Sequence, residues 1–263
     1  MITKPLLDSF DIRFVRFGCG QRGKVVRQSV KQMQDEILSY REMCDTENVQ
    51  TLQRGMNFRL NPSYSLILMS QRANAPYEDK IYDDGMTIEY EGHDVSRRAY
   101  DHNPKHENQP ETLPSGRLTQ NGRFIKAVRD YKQGKAIPEL VKVYEKIFPG
   151  VWSLKGYFDL IDYRIVNDGK RNVFRYILKL SDREGTSDSD SESVNVEHTR
   201  LIPSGVKRGV WKRDGGKCVL CGATKNLHFD HDLPFSRGGT SLSVKNVRLL
   251  CMKHNLRKSD KIE

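Results

Sequence analysis

Cys218-Val-Leu-Cys221, then His228-Phe-Asp230-His231, Gly238-Gly239, Asn246, and Cys251-Met-Lys-His254-Asn255 with Lys258 behind, follow one another in a single 41-residue stretch of the 263-residue chain. Two Cys-x2 pairs stand 29 residues apart, the first Cys-x2-Cys and the second Cys-x2-His. Structural zinc takes four Cys and His ligands in a closed tetrahedron, and Cys218, Cys221, Cys251 and His254 supply that set. His254 is preferred as the fourth ligand because it lies three residues after Cys251. The Asp and Asn residues left over offer oxygen, which suits a separate hard cation. A redox reading of Cys218 and Cys221 needs neither Cys251 nor His254. A non-catalytic zinc ribbon leaves Asp230-His231, Gly238-Gly239 and Asn255-x2-Lys258 unexplained.

This order of residues resembles the HNH nuclease family, whose active site is a ββα-metal fold. The resemblance implies that His231 is the general base, since an imidazole titrates near neutrality and can take a proton from water. It implies Asp230 and Asn255 as ligands of a catalytic Mg2+, Mn2+ or other divalent ion, and Asn246 as the residue that holds the loop carrying His231. Residues 206–213 read as a short helix before the Asp214-Gly-Gly turn. His228-Phe-Asp230-His231 falls on the first strand of a hairpin, Ser236-Arg-Gly-Gly239 loops out, Asn246 to Leu250 returns, and a terminal helix starts near His254. His228 reads as a strand residue near the site rather than a ligand. Arg257 and Lys258 are expected to contact DNA phosphate.

Composition agrees with a polyanionic partner. Net charge is +10, and residues 204–263 carry 13 Lys or Arg against 5 Asp or Glu. Hydrophobic content of 37% without a membrane-length apolar run or a secretory leader predicts a cytoplasmic protein, bacterial by the resemblance, with no membrane partner. Five cysteines in such a chain read as metal-binding or free thiols, not as a disulfide framework.

The clearest boundary is Ser181-Asp-Arg-Glu-Gly-Thr-Ser-Asp-Ser-Asp-Ser-Glu-Ser193, too polar to order itself. Upstream, residues 10–17 read as extended and residues 25–40 as a helix, from Val26, Val30, Met33 and Ile37 at helical spacing. Residues 55–181 read mainly as strands, including Tyr64 to Met69, Met86 to Tyr90 and Pro138 to Tyr144. A hairpin runs from Tyr157 to Leu180 around Asn167-Asp-Gly, and residues 118–131 read as a helix.

Within that region, Ile67-Leu-Met-Ser70, Tyr77-Glu78-Asp79, Gly85, Tyr90-Glu-Gly92, Val141-Lys-Val-Tyr144, Gly156-Tyr157-Phe-Asp159 and Val173-Phe-Arg-Tyr-Ile-Leu178 stand in an order that resembles the SRA family. That family binds DNA containing modified cytosine and flips the base into a pocket. The resemblance implies Tyr77 and Tyr90 as the stacking aromatics and Asp79 as the acid that reads cytosine. Gly85 follows Tyr77 by eight positions, one more than the family pattern, and Ala75-Pro76 replaces Gly-Gly, so Asp83 and Asp84 stand as alternative readers. Residues 93–116 and Gln120-Asn-Gly-Arg123 read as loops that could replace the expelled base.

The expected fold class is α+β. A twisted, SRA-like (PUA-like) β-barrel with flanking helices is linked to a small zinc-stapled ββα-metal HNH domain. The expected parts are a helical extension (1–50), an SRA-like domain (51–181), an acidic linker (182–203) and an HNH domain (204–263). The expected function is a modification-dependent DNA endonuclease that flips 5-methyl- or 5-hydroxymethylcytosine and cuts nearby, similar to bacterial enzymes that restrict foreign DNA. Structural Zn2+, catalytic Mg2+, modified double-stranded DNA and a second copy of the chain are its expected partners. A sequence-specific HNH enzyme and a modified-DNA reader with a degenerate nuclease are the alternatives.

Overall fold

The first element departs from expectation. Glu36–Ser39 is a strand, β1, where helical spacing predicted a helix over 25–40. The structure, a computed structural model, describes residues 35–82, 85–96, 103–183, 201–233 and 241–258. The extended segment expected over 10–17, the start of the predicted helix, most of the linker and the Gly238-Gly239 loop lie outside them. The reason for β1 is local. Asp35 takes φ +64°, which a continuing helix does not allow. Ser39 caps a new helix, α1 (Tyr40–Thr46), in a capping box with Glu42. Ile37 and Leu38 then bury on opposite faces in two different cores, as strand alternation requires.

The remaining elements are β2 (Met56–Asn61), β3 (Tyr64–Met69), β4 (Lys80–Ile81), β5 (Thr87–Glu91), α2 (Gln120–Lys132), β6 (Glu139–Phe148), β7 (Val151–Asn167), β8 (Asn172–Leu180), α3 (Ser204–Asp214), β9 (Leu227–His231), β10 (Val247–Cys251) and α4 (Met252–Lys258). The hairpin between β7 and β8 turns as its Asn-Asp-Gly signal predicts, with Gly169 at φ +92°. Gln120-Asn-Gly-Arg123, read also as a loop, is instead the first turn of α2, capped by Thr119.

Among the described residues, ten strands form one mixed sheet in the order β10-β9-β1-β7-β6-β3-β2, with β8, β5 and β4 branching from β7. The architecture is α+β, but among the described residues the sheet of the expected twisted barrel does not close. β7 explains why. Its early residues pair with β1 and its later ones with β8 along the same edge, while β6 runs along the other. Gly156 at φ +125° and a register shift after Leu160 let the strand bend between these partners. The two branches therefore diverge, and among the described residues the ends at β2 and β4 do not pair with each other.

Separate apolar clusters lie along this sheet. Phe124, Ile125 and Val128 of α2 pack on β3, β5, β6 and β8. Val206 and Val210 of α3 pack with Leu227, Phe229, Leu249 and Leu250. Between these regions the charges are buried in pairs. Lys207 meets Asp35 at 2.5 Å and donates to the Ser153 hydroxyl at 2.9 Å, and Lys155 faces Glu145 at 3.5 Å. Pairing is what makes buried charge tolerable. No helix among the described residues is long and apolar enough to cross a membrane.

Candidate functional site

The two Cys-x2 pairs converge. Cys218 follows the left-handed Gly215 cap of α3, Cys221 sits at the tip of the knuckle, Cys251 ends β10 and His254 lies in the first turn of α4. Trp211 covers the turn so closely that a Cβ on Gly216 would lie 2.7 Å from its ring. The four ligand atoms lie within 4.8 Å of one another. The His254 Nδ1 atom is 3.4 Å from both Cys218 Sγ and Cys251 Sγ, and Cys221 Sγ is 3.8 Å from Cys251 Sγ. Zn–S and Zn–N bonds of about 2.3 and 2.0 Å give tetrahedral edges of roughly 3.5 to 3.8 Å, so this donor set fits zinc. Burial opposes ionisation of Cys218. Hydrogen bonds from the Cys251 and Leu220 backbones and the His254 ring outweigh it, and bring the thiol down to about 6.

The oxygen donors stand beside this cage. Asp230 and His231 end β9, which pairs with β10 in the register His231 to Val247 and Asp230 to Arg248. The His231 Nε2 atom lies 2.8 Å from the buried Ser241 hydroxyl, which orients the ring. Asn246 grips the chain after His231: its Oδ1 accepts from Leu233 N at 2.8 Å, and its Nδ2 donates to Leu233 O at 3.2 Å. The α4 helix packs on β9 and β10, and its Asn255 lies one turn before Lys258, on the same side of the helix.

Lys258 is not where a phosphate contact would put it. Its side chain is 1% exposed, with Nζ 2.5 Å from Asp230 Oδ2 and a hydrogen bond to the His231 carbonyl. Burial of the apolar stem against β9 carries the ammonium inward, and the carboxylate compensates its charge. Arg257 is exposed, as a phosphate contact requires. The Asp230 carboxylate and the His231 carbonyl already hold one cation at the end of β9, which suits a hard metal ion there, and Asn255 is an amide oxygen donor on the helix that packs against that strand. His228 is buried between β1 and β10, and burial lowers its pKa, so it is a neutral strand residue.

A cleft of about 1010 Å³ opens on the other branch of the sheet. Tyr77, His93, Asp94 and Lys105 line it. The Tyr77 and His93 rings are near-parallel, 25° apart with centroids at 6.3 Å, and the Lys105 ammonium lies 3.9 Å from the Tyr77 centroid. Lys105 and Arg171 pair with Asp94 at 3.1 and 2.7 Å. Asn121 clamps the His93 backbone in both directions, at 2.9 and 2.8 Å. Gly92 is needed just before it, because a Cβ there would lie 2.7 Å from both the Asn121 and Gln109 side-chain oxygens. Burial, then the Arg54 charge, lowers His93 to about 4, so the ring is neutral at physiological pH. Burial, then Asp94, raises Tyr77 to about 12, so its hydroxyl stays a donor.

Of the three residues expected in the base pocket, only Tyr77 lines the cleft. Tyr90 is 1% exposed and belongs to the core under α2. Its hydroxyl approaches Gly55, where a Cβ would lie 2.8 Å away. Asp79 lies between strands: its carboxylate accepts from Ser70 N at 3.0 Å and Glu91 N at 3.2 Å. Burial raises it to about 7 against those hydrogen bonds. It therefore has a structural task that a free pocket acid would lack. The three residues are electrostatic neighbours all the same, since Asp79 and Tyr77 both raise Tyr90 after burial does. Asp83 and Asp84 lie outside the described residues. The sequence reading missed His93 and Ser241. His93 follows Tyr90-Glu-Gly92 directly, but polar loop composition hid it.

No protein-family model matches the chain, and no characterised protein matches it in sequence. Solved structures align with part of it. The SRA domain of SUVH5 in complex with hemimethylated CG DNA aligns with a TM-score of 0.41 at 14% identity, covering 60% of this chain and 94% of that one. The same SRA domain bound to fully hydroxymethylated CG DNA aligns at 0.36 and 15%, covering 55% and 85%. Arabidopsis thaliana SUVH6 in complex with SAM aligns at 0.38 and 14%, covering 66% of this chain and 28% of that one.

Proposed function

We propose that this protein is a modification-dependent DNA endonuclease. A cleft on one branch of the sheet takes a flipped 5-methyl- or 5-hydroxymethylcytosine, and an HNH site on the other hydrolyses a nearby phosphodiester bond. The observation that carries the reading is the β9–β10–α4 unit. It places Asp230 and His231 at a strand end, packs the Asn255 helix against that strand, and sets a Cys3His cage of zinc dimensions beside them.

Each residue then has a task. His231, oriented by Ser241, accepts a proton from the attacking water. Asn246 keeps the backbone after it in place. The Asp230 carboxylate and the Asn255 amide would hold a divalent ion, which when bound polarises the phosphoryl oxygen and stabilises the leaving 3′ oxygen. Arg257 meets the phosphate backbone. One such site cuts one strand, so a double-strand break calls for two copies of the chain. In the cleft, Tyr77 and His93 offer the π-faces that compensate an unstacked base, and Asp94 is the carboxylate on its wall.

The Lys258–Asp230 ion pair favours a second reading, a modified-DNA reader whose nuclease is silent. One experiment separates the readings. Binding is measured to matched duplexes carrying cytosine, 5-methylcytosine or 5-hydroxymethylcytosine, and cleavage is followed with and without Mg2+. The endonuclease prefers a modified duplex and cuts it. Tyr77→Ala lowers that preference about 5- to 150-fold, the range for one base–aromatic stack. His231→Ala keeps the preference and lowers the cleavage rate by about 10² to 10⁴. Equal binding to all three duplexes overturns the reader. Intact preference without metal-dependent cleavage leaves the second reading.

A further inference from the structure

We propose that Lys258 is a built-in counter-ion of the Asp230 site, displaced when the divalent ion binds, and that DNA phosphate receives it, so that metal and DNA load together. The inference rests on the reading of Asp230 as a metal ligand. Lys258 ends α4 with its ammonium fully buried, and its two oxygen partners, the Asp230 carboxylate and the His231 carbonyl, both belong to the end of β9. The sequence pattern alone placed this residue at DNA. Its position in the fold is the opposite one, and exchange between the two accounts for both.

Magnitudes favour displacement over co-residence. A hydrogen-bonded partner behind a metal-bound carboxylate raises metal affinity by about 10- to 100-fold through orientation. A fixed ammonium roughly 5 Å from a doubly charged ion, at an effective dielectric of about 20, lowers it by about 10⁴-fold or more. Repulsion wins, so metal and ammonium cannot both stay on Asp230. Once displaced, the ammonium leaves the carboxylate that compensated it and needs another anion. The solvent face of α4 carries exposed Lys253 and Arg257, the surface at which a phosphate would be met. Binding of each ligand then favours the other, and the coupling is reciprocal.

The test titrates Mn2+ into the full-length, zinc-loaded protein by electron paramagnetic resonance, with and without a duplex, in a His231→Ala background that keeps the DNA intact. With Lys258 in place, Mn2+ affinity should rise at least about 10-fold when duplex is present. Lys258→Met and the hydrogen-bonding Lys258→Gln should each bind Mn2+ at least about 10-fold more tightly in the absence of DNA, with little further gain from duplex. A residue that only holds the fold gives the opposite result: its loss weakens Mn2+ binding or leaves it unchanged, and either outcome in a folded variant overturns the proposal. Asp230→Asn distinguishes that failure from failure of the metal site. If Asp230→Asn abolishes Mn2+ binding, the site stands and only the counter-ion role falls. If Asp230→Asn binds Mn2+ as well as its parent, or no variant binds it with or without DNA, both readings fall.

Discussion

Removing zinc should unfold one end of the sheet and spare the other. The four candidate ligands come from the knuckle after α3, the end of β10 and the start of α4, so a bound metal ties these three segments together, and two of the four, Cys218 and Cys251, belong to the core that α3 shares with β9 and β10. Zinc bound to such a set contributes about 10 to 16 kcal/mol in small peptide domains, against about 5 to 15 kcal/mol of net stability for an ordinary domain. Its loss is therefore enough to melt the region that carries Asp230 and His231. The core under α2 contains none of the ligands and should persist. The two tryptophans permit a direct assay. Trp211 packs on the knuckle turn at Gly216, whereas Trp152 lies in the cluster with Leu38 and Tyr144. In a Trp152→Phe background, fluorescence reports Trp211 alone. A strong chelator, or Cys251→Ser, should shift that emission to the red at 25 °C. Trp152 emission in a Trp211→Phe background should stay native to a higher temperature, and zinc add-back should restore the chelated protein. Native Trp211 emission in protein shown by elemental analysis to hold no zinc would falsify the reasoning.

Two further outcomes concern the branch of the sheet that carries the cleft. Asp79→Ala strips two backbone N–H groups of their acceptor, at about 1 to 3 kcal/mol each where buried, so thermal melts should show a loss of roughly 2 kcal/mol or more; an unchanged midpoint contradicts the strand-bridging role. His93 sits at about 4 in the fold, below the ordinary imidazole value, so the unfolded chain takes up its proton first as pH falls. Its contribution is complete above about pH 6.5 and is lost by about 3 kcal/mol as pH falls to 4. The stability difference between the parent and His93→Gln should follow that curve, with the opposite trend from Asp79 cancelling between them; a difference that does not change with pH rules it out.

What could be read from the residues was local. The convergence of Cys218, Cys221, Cys251 and His254 was legible because a tetrahedral site needs four donors, and two Cys-x2 pairs present them whatever the surrounding fold. The β7–β8 hairpin was legible because Asn-Asp-Gly dictates its own turn. Tertiary structure decided whatever depended on partners far along the chain. Ile37 fits a helix by spacing, yet it is a strand because β7 and β9 offer edges on both sides of it. Tyr77, Tyr90 and Asp79 form a plausible trio in sequence. Packing under α2 took Tyr90 into the core, two strand amides took Asp79, and Asn121 brought His93 to the cleft instead. Lys258 reads as a surface cation until α4 folds back over β9 and meets a carboxylate 28 positions earlier. Periodicity and turn chemistry act over a few residues and leave a mark in the sequence. Burial and charge pairing act across the folded chain, and only the assembled sheet determines which side chains they bring together.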